Sequence, residues 1–215
     1  RKQSKVKSFR IGFLPYMVVL AVLIGLLLAQ PDLGSALTLA IVAVAMLLVA
    51  GTRLSYLAGI GLIAMPFLYF MVMNVDYRRR RILAFLNPWE DPSDTGFQII
   101  QSWIAFGNGG AFGQGLGESK QKLFYLPEAH TDFIFAVIGE ELGLLGTLAV
   151  LFLLAAIIYS IFKIALRCKD PMSRYVGSGI GCWIAIQTIL NVGSATSVLP
   201  VVGVTLPFVS YGGSA

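Results

Sequence analysis

The sequence predicts an all-α, polytopic membrane protein, because it is apolar and its charges are clustered. Of its 215 residues, 57% are hydrophobic and only 13% are charged, whereas soluble domains carry about a quarter charged residues. The uncharged runs between the charge clusters are about as long as a membrane helix, roughly 20 residues. These runs cover residues 11–29, 33–52, 54–75, 142–162 and 175–191. A soluble helical bundle is a poor alternative, because its helices need only one apolar stripe each.

Basic residues orient the predicted helices, because loops rich in Lys and Arg stay in the cytoplasm. Residues 1–10 carry five positive charges and are therefore predicted to form a cytoplasmic loop. Alternating spans then place residues 76–131 in a large extracytoplasmic loop, followed by a fourth span over about residues 132–166. We expect a single membrane domain over residues 1–215 with five to six membrane helices, the sixth beginning near the end of the chain.

One cluster of charges violates this topology. Four consecutive arginines, Arg78 to Arg81, follow the third span on the outer side. Like charges repel each other, so the cluster is expected to have an anionic partner. The acids Glu90, Asp91 and Asp94 of the same loop are one candidate. A phosphate-bearing ligand at the outer membrane surface is the other, because guanidinium groups bind phosphate oxygens in a bidentate fashion.

The large outer loop contains its own structural signals. The apolar residues of segment 96–106 are spaced as in a short helix lying on the membrane surface. The glycine-rich run GNGGAFGQGLGES that follows predicts either a flexible linker or a backbone nest for an anion. The run does not indicate a nucleotide P-loop, because it has no GKS/T ending and no strand before it. Lys120 and Lys122 bracket the polar turn after the glycines.

Acidic residues crowd the entrance of the fourth span. The stretch YLPEAHTDFIFAVIGEELG contains Glu128, His130, Asp132, Glu140 and Glu141. Ionisable residues at membrane depth are functional candidates. Asp132 is predicted either to cap the fourth helix or to work in a polar cleft, and Glu140 lies about two turns deeper on the same side. A single histidine and two cysteines without metal spacing exclude a His/Cys metal centre.

Two further polar points lie on the predicted outer side. Gln30 and Asp32 stand in the turn between the first two spans, where Asp32 either caps the second helix or contributes to function. The run NVGSATSVLPVVGVTLPFVSYGGS is too rich in Gly, Pro and Ser for a lipid-facing helix. Irregular backbone at membrane depth is tolerated only inside protein or along a cavity. Asn191, Ser194, Ser197 and Ser210 are therefore predicted to border a polar cleft rather than lipid.

Four motifs resemble those of the SEDS family (shape, elongation, division and sporulation). They are QPDLGSAL, RRRRILAFLNPWEDPSDTGFQIIQS, GQGLGESKQKLFYLPEAHTDFIFAVIGEELG and LPVVGVTLPFVSYGGSA, and they follow the family's order over nearly the whole chain. NPWEDP and GLGESKQKLFYLPEAHTDFIF are more similar to the cell-division branch than to the elongation branch. The resemblance implies a larger bundle of about ten membrane helices whose first four spans are absent here, so the 215 residues alone are expected to be inactive.

The resemblance also implies an activity. Members of the family are peptidoglycan glycosyltransferases of the bacterial cytoplasmic membrane. They polymerise lipid II, a disaccharide pentapeptide on undecaprenyl pyrophosphate, into β-1,4-linked glycan on the extracytoplasmic face. The implied partners are lipid II, a class B penicillin-binding protein and other divisome proteins at the septum, and no nucleic acid is expected.

The resemblance assigns roles to individual residues. The family's essential aspartate falls on Asp132, which would act as the general base towards a sugar hydroxyl. The arginines of its Y-R-x-x-R stretch fall on Arg78 and Arg81, which would stabilise the pyrophosphate leaving group. The substrate-binding residues predicted in full are Arg78, Arg81, Lys120, Lys122, Glu128, His130, Gln30, Asp32 and Ser210. A divalent cation, Mg²⁺ or Mn²⁺, would suit the oxygen ligands of pyrophosphate and a carboxylate, but no metal ligand is predicted.

Two functions of other classes stay open at this point. A lipid II flippase would place its ionisable residues near the bilayer midplane, whereas these charges crowd the outer side, which favours surface chemistry. A non-catalytic divisome scaffold would use the aromatic outer loop as a docking platform. The sequence does not separate partner contacts from substrate contacts in that loop.

Overall fold

The computed structural model describes residues 13–92, 96–121 and 130–212, and every regular element in these ranges is a helix. The all-α class predicted from the sequence is therefore confirmed. In chain order the elements are α1 (Leu14–Ala29), α2 (Leu33–Val49), α3 (Leu54–Met73), α4 (Asp76–Leu86), a 3₁₀ turn (Pro88–Glu90), α5 (Phe97–Gly109), α6 (Ile134–Arg167) and α7 (Pro171–Ala195).

Five of these helices are apolar and coincide with the five predicted spans. Helices α3, α6 and α7, with 20, 34 and 25 residues, are long and apolar enough to cross a membrane. Helices α1 and α2 are shorter apolar helices of 16 and 17 residues. Neither α1 nor α3 has a buried residue. Such large exposed apolar surfaces require cover by lipid or by other helices, as expected of a membrane protein.

Residues 196–212, the C-terminal segment, contain no helix. The beginning of a sixth span is therefore not found within these residues. Pro200 and Pro207 have no N–H to donate to a helical carbonyl, and Gly203 has a φ of 74°, which lies outside the helical region. The segment instead bonds to its neighbours through side chains and turns.

The chain divides into two compact units. The first comprises Arg1–Met71 and Ile158–Ile186, and the second comprises Val72–Ile157 and Gln187–Ala215. In the first unit the end of α6 packs closely on the start of α7, where a Cβ at Gly177 would lie 2.8 Å from the Cβ of Ala165.

Two aspartates begin helices in the first unit. Ser35 N–H donates to Asp32 Oδ1 at 2.9 Å, so the capping interpretation of Asp32 is confirmed. Before α7, the backbone N–H and the hydroxyl of Ser173 both donate to Asp170 Oδ2 at 2.8 Å. These bonds hold the pKa of Asp170 below its ordinary value, because they favour the charged carboxylate.

The second unit contains a hydrophobic core that includes both α5 and the start of α6. Its buried residues are Ala105, Phe133, Phe135, Ala136, Val137, Leu154, Ala195 and Leu206. The predicted short helix is confirmed as α5, and one of its faces is buried within the protein. On that face the Ser102 hydroxyl donates to the carbonyl of Ala195, which joins α5 to the end of α7. Contact of α5 with the membrane surface stays a prediction.

Candidate active site

Asp132 stands two residues before α6, at the edge of the hydrophobic core. Its side chain is half-buried, and the next residue, Phe133, is 1% exposed. A side chain as large as phenylalanine, buried this deeply, fixes the backbone on which it is carried. The structure therefore places the predicted catalytic carboxylate on rigid backbone where a helix meets the core.

The C-terminal segment holds the residues just before Asp132. The backbone N–H of Tyr211 donates to the carbonyl of His130 at 2.9 Å. The buried Ser210 hydroxyl donates to the carbonyl of Thr131 at 2.6 Å and accepts from Leu206 N–H at 2.7 Å. Ser210 thus bonds the C-terminal segment to the backbone just before Asp132. Its predicted contact with substrate stays a prediction.

Glu140 is fully buried in the second unit. The Ser119 hydroxyl and the Gln121 N–H donate to its Oε2, the latter at 3.2 Å. The Asn108 amide approaches Oε1 at 3.4 Å. A buried carboxylate needs such donors to replace lost water. Glu140 therefore anchors residues 119–121, the last described part of the outer loop before residue 130.

Helix α6 is broken at Gly143, whose φ of 66° and ψ of −163° are not helical. Near the break, the glycine-rich run bonds to two carbonyls and two N–H groups of α6. Four backbone bonds result: Gln114 N–H to Glu140, Gly115 N–H to Glu141, Leu144 N–H to Gly110 and Leu145 N–H to Ala111, at 2.9 to 3.2 Å. The loop thus supplies hydrogen-bond partners to backbone groups of α6 around the break.

This docking corrects both predictions for the glycine-rich run, a flexible linker or an anion nest. The N–H groups of Gln114 and Gly115 are used by α6 carbonyls, so they do not form a nest for an anion. Glycine is required because the two backbones touch: a Cβ at Gly113 would overlap the Glu141 carbonyl oxygen, and one at Gly143 would overlap Gly113 N. The run is a docking segment.

The four arginines lie on α4. The sequence predicted this segment as part of the outer loop and did not predict a helix there. Arg78 and Arg81 are half-buried, whereas Arg79 and Arg80 are exposed. The first two are three residues apart and therefore share one helix face. The Arg81 guanidinium lies 4.5 Å from the centre of the Tyr77 ring, a cation–π contact that orients it. The helix thus separates the half-buried pair predicted to bind substrate from the two exposed arginines.

The remaining predicted substrate-binding residues are placed as follows. Lys120 is exposed and lies between two residues that Glu140 holds, and His130 is exposed. Gln30 is exposed in the turn before α2 and, with Asp32, belongs to the first unit. Lys122 and Glu128 lie outside the described residues.

The part of the chain that the structure describes contains no group of three or more His, Cys, Asp or Glu side chains able to hold a metal ion. Glu140 is surrounded by hydrogen-bond donors, whereas a cation needs acceptors.

Sequence reasoning missed two features of the site. The first is the break at Gly143, for which the only signal was a glycine inside an apolar run. The second is the contact of Asn191 with the backbone of Asp132, at 2.8 Å from Asn191 Nδ2 to the Asp132 carbonyl. The sequence placed Asn191 beside a cleft but did not connect it with the aspartate.

Fold and site together define a polytopic helical membrane protein with a carboxylate fixed at a helix entrance. The chain belongs to the family described as FTSW_RODA_SPOVE, cell cycle protein, whose model matches residues 1–215. The resemblance to the SEDS family is thereby confirmed.

The chain is similar to curated proteins over its whole length. It is 58% identical over 215 residues to the "Probable peptidoglycan glycosyltransferase FtsW" of Geobacter metallireducens and covers 57% of that protein. It is 45% identical over 214 residues to the stage V sporulation protein E of Bacillus subtilis, of which it covers 58%. The chain thus spans less than two thirds of the length of these relatives.

Two solved structures resemble the fold. One, described as "Structural coordination of polymerization and crosslinking by a peptidoglycan synthase complex", matches 96% of the chain and 58% of its own, with a TM-score of 0.74 and 30% identity. The other, the rod shape determining protein RodA of Thermus thermophilus, matches 99% of the chain and 56% of its own, with a TM-score of 0.58 and 27% identity.

Proposed function

We propose that the complete protein is a peptidoglycan glycosyltransferase that polymerises lipid II into β-1,4-linked glycan during septal cell-wall synthesis. The observation that carries the proposal is the placement of Asp132. Its carboxylate is half-buried, and the backbone beside it is fixed by a buried phenylalanine and by the C-terminal segment. A general base must be held within hydrogen-bond reach of the proton that it removes, and rigid backbone provides that.

In the proposed reaction Asp132 removes the proton of the acceptor sugar hydroxyl. The hydroxyl oxygen forms a bond to the anomeric carbon of the donor while the bond from that carbon to the lipid pyrophosphate breaks. A single displacement of this kind converts an α-linked phosphate into a β-linked sugar, because the acceptor oxygen attacks the face of the anomeric carbon opposite the leaving group. Asp132 is protonated in this step and returns the proton to solvent.

The leaving pyrophosphate gains negative charge, and Arg78 and Arg81 are the groups assigned to stabilise it. Their half-buried position supports the assignment, since a partly desolvated guanidinium interacts with phosphate more strongly than a fully solvated one. Lys120, Lys122, Glu128, His130, Gln30, Asp32 and Ser210 stay proposed substrate contacts. A Mg²⁺ or Mn²⁺ ion on the pyrophosphate is compatible with the reaction, and no step depends on it.

The proposed setting follows from the fold and the family. The apolar helices support a multi-pass membrane location; the proposed membrane is the bacterial cytoplasmic membrane, with the active site on its extracytoplasmic face at the septum. A class B penicillin-binding protein is the proposed partner, supported by the similarity to a solved peptidoglycan synthase complex. Other divisome proteins complete the proposed assembly.

Polymerisation in detergent tests this proposal. The complete protein and its penicillin-binding partner, purified and supplied with lipid II, are expected to form glycan chains that a gel resolves. Lipid II in detergent does not have to cross a bilayer, so glycan formation separates a polymerase from a flippase. A preparation that moves lipid II across vesicles without making glycan would identify a flippase. Polymerisation by the partner alone, at an unchanged rate, would leave this protein a scaffold.

Replacing both Arg78 and Arg81 by lysine is expected to lower the polymerisation rate roughly 10- to 100-fold. The charge is kept, but the bidentate hydrogen bonds of the guanidinium are lost, and bonds to a charged group contribute about 1.5–3 kcal/mol. The matched control replaces the exposed Arg79 and Arg80 by lysine and is expected to keep the rate. Full activity of the first variant would show that the pair acts only as bulk charge.

A further inference from the structure

Three consecutive carbonyls before α6 accept hydrogen bonds, and the side chain that donates to the third is buried. Asn191, on α7, is 1% exposed. Its Nδ2 donates to the Asp132 carbonyl at 2.8 Å and to the Val204 carbonyl at 2.7 Å. One side-chain amide thus joins α7, the backbone of the proposed general base and the C-terminal segment. A backbone carbonyl shielded from water needs a donor within the protein.

Chemistry fixes the orientation of this amide. Both of its neighbours are carbonyl oxygens, so only the NH₂ group of Asn191 can face them. Its Oδ1 is buried and has no hydrogen-bond partner among the described residues. Buried polar atoms are rarely left unpaired, so Asn191 occupies this position for its two donated bonds. An apolar side chain of similar volume would avoid the unpaired atom but supply neither bond.

The second bond of Asn191, to the Val204 carbonyl, holds backbone that lies beside the Asp132 carboxylate. Val204 follows Gly203, and a Cβ at Gly203 would lie 3.4 Å from Asp132 Oδ2. The backbone at Gly203 therefore lines the carboxylate, and glycine suits its φ of 74°. By holding the Val204 carbonyl, Asn191 fixes the wall next to the carboxylate as well as the backbone that carries it.

We propose that Asn191 is a positioning residue for Asp132. Its two bonds fix the position of the carboxylate relative to the backbone wall at Gly203. This inference rests on the proposed glycosyltransferase function. A displacement of about 1 Å in a reacting group costs roughly 100-fold in rate. Asn191 is buried, so it acts on the reaction only through the aspartate and its wall.

The test compares Asn191→Ala with Ser194→Ala in the complete protein with its partner. Ser194 is a matched control, because it is also buried on α7 and its hydroxyl donates to the Pro200 carbonyl of the C-terminal segment at 3.1 Å. Asn191→Ala is expected to lower kcat for lipid II roughly 10- to 100-fold and to change KM less than about threefold. Ser194→Ala is expected to keep both values.

A second measurement does not depend on activity. Hydrogen–deuterium exchange at the Tyr211 amide reports the bond between the C-terminal segment and His130. Asn191→Ala is expected to speed that exchange at least tenfold, and Ser194→Ala to leave it unchanged. Faster exchange together with a selective loss of kcat supports the proposal.

Three results would overturn the inference. A normal kcat in Asn191→Ala shows that the amide does not position the base. If kcat falls and KM rises equally in both variants, the two side chains have only a general role in folding. Unchanged exchange at Tyr211 in Asn191→Ala refutes the positioning contact itself. If the wild-type protein makes no glycan, the proposed function fails, and the exchange measurement alone then tests the contact.

Discussion

Replacing Asp132 by asparagine is expected to lower the rate of lipid II polymerisation at least ~100-fold, the typical contribution of a general base. Asparagine keeps the size of the side chain but has no oxygen that takes up a proton at neutral pH. The backbone bond from Asn191 involves only the Asp132 carbonyl and is unaffected. Binding of lipid II is expected to persist, because Arg78 and Arg81 are intact. Glycan formation and lipid II binding, measured on the same detergent preparation, check both expectations.

The matched control for this variant is Asp170→Asn. Asp170 directly precedes α7 and accepts two bonds from Ser173. The control therefore makes the same change at an aspartate that has only a structural role, at the start of a helix. It is expected to leave the polymerisation rate within about twofold of wild type. An Asp132→Asn protein that polymerises lipid II normally would refute the catalytic assignment, and a purely structural role for this aspartate would take its place.

The membrane helices were predictable because charged residues mark their ends. The third span was predicted over residues 54–75 and is observed as Leu54–Met73. The fourth was predicted from about residue 132, and α6 begins at Ile134. Helix α4 was not predicted as a helix, because four successive arginines give no apolar periodicity. Its conformation depends on context that a local pattern does not contain.

The site was predictable in part for a similar reason. Asp132 and the arginines stand out as charges beside apolar runs and lie in motifs of the family. The contacts of Gly110 with Leu144 and of Asn191 with Asp132 join residues 34 and 59 positions apart. Such pairings depend on tertiary structure, and a single sequence shows only that glycine and asparagine are available there.

Glu140 shows how such a contact gives a residue its role. Its carboxylate accepts bonds from Ser119 and Gln121 N–H and meets the Asn108 amide, all inside the second unit. Removing a buried acceptor leaves its donors unpaired, at about 1–3 kcal/mol each. Because two of these donors belong to the loop at residues 119–121, the loss is expected to open that loop before it unfolds the helices.

Glu140→Ala is therefore expected to increase trypsin cleavage after Lys120 roughly 100-fold, since about 3 kcal/mol corresponds to a hundredfold change in the opening equilibrium. Mass spectrometry of the complete protein after brief digestion measures the cleavage. The exposed Glu118 gives the matched control, and Glu118→Ala is expected to leave the rate unchanged. Glu140→Gln keeps one oxygen for Ser119 and Gln121 and is expected to show most of the wild-type protection. Equal cleavage of Glu140→Ala and wild type would refute the anchoring role, because the loop would then be held by the backbone bonds at the Gly143 break alone.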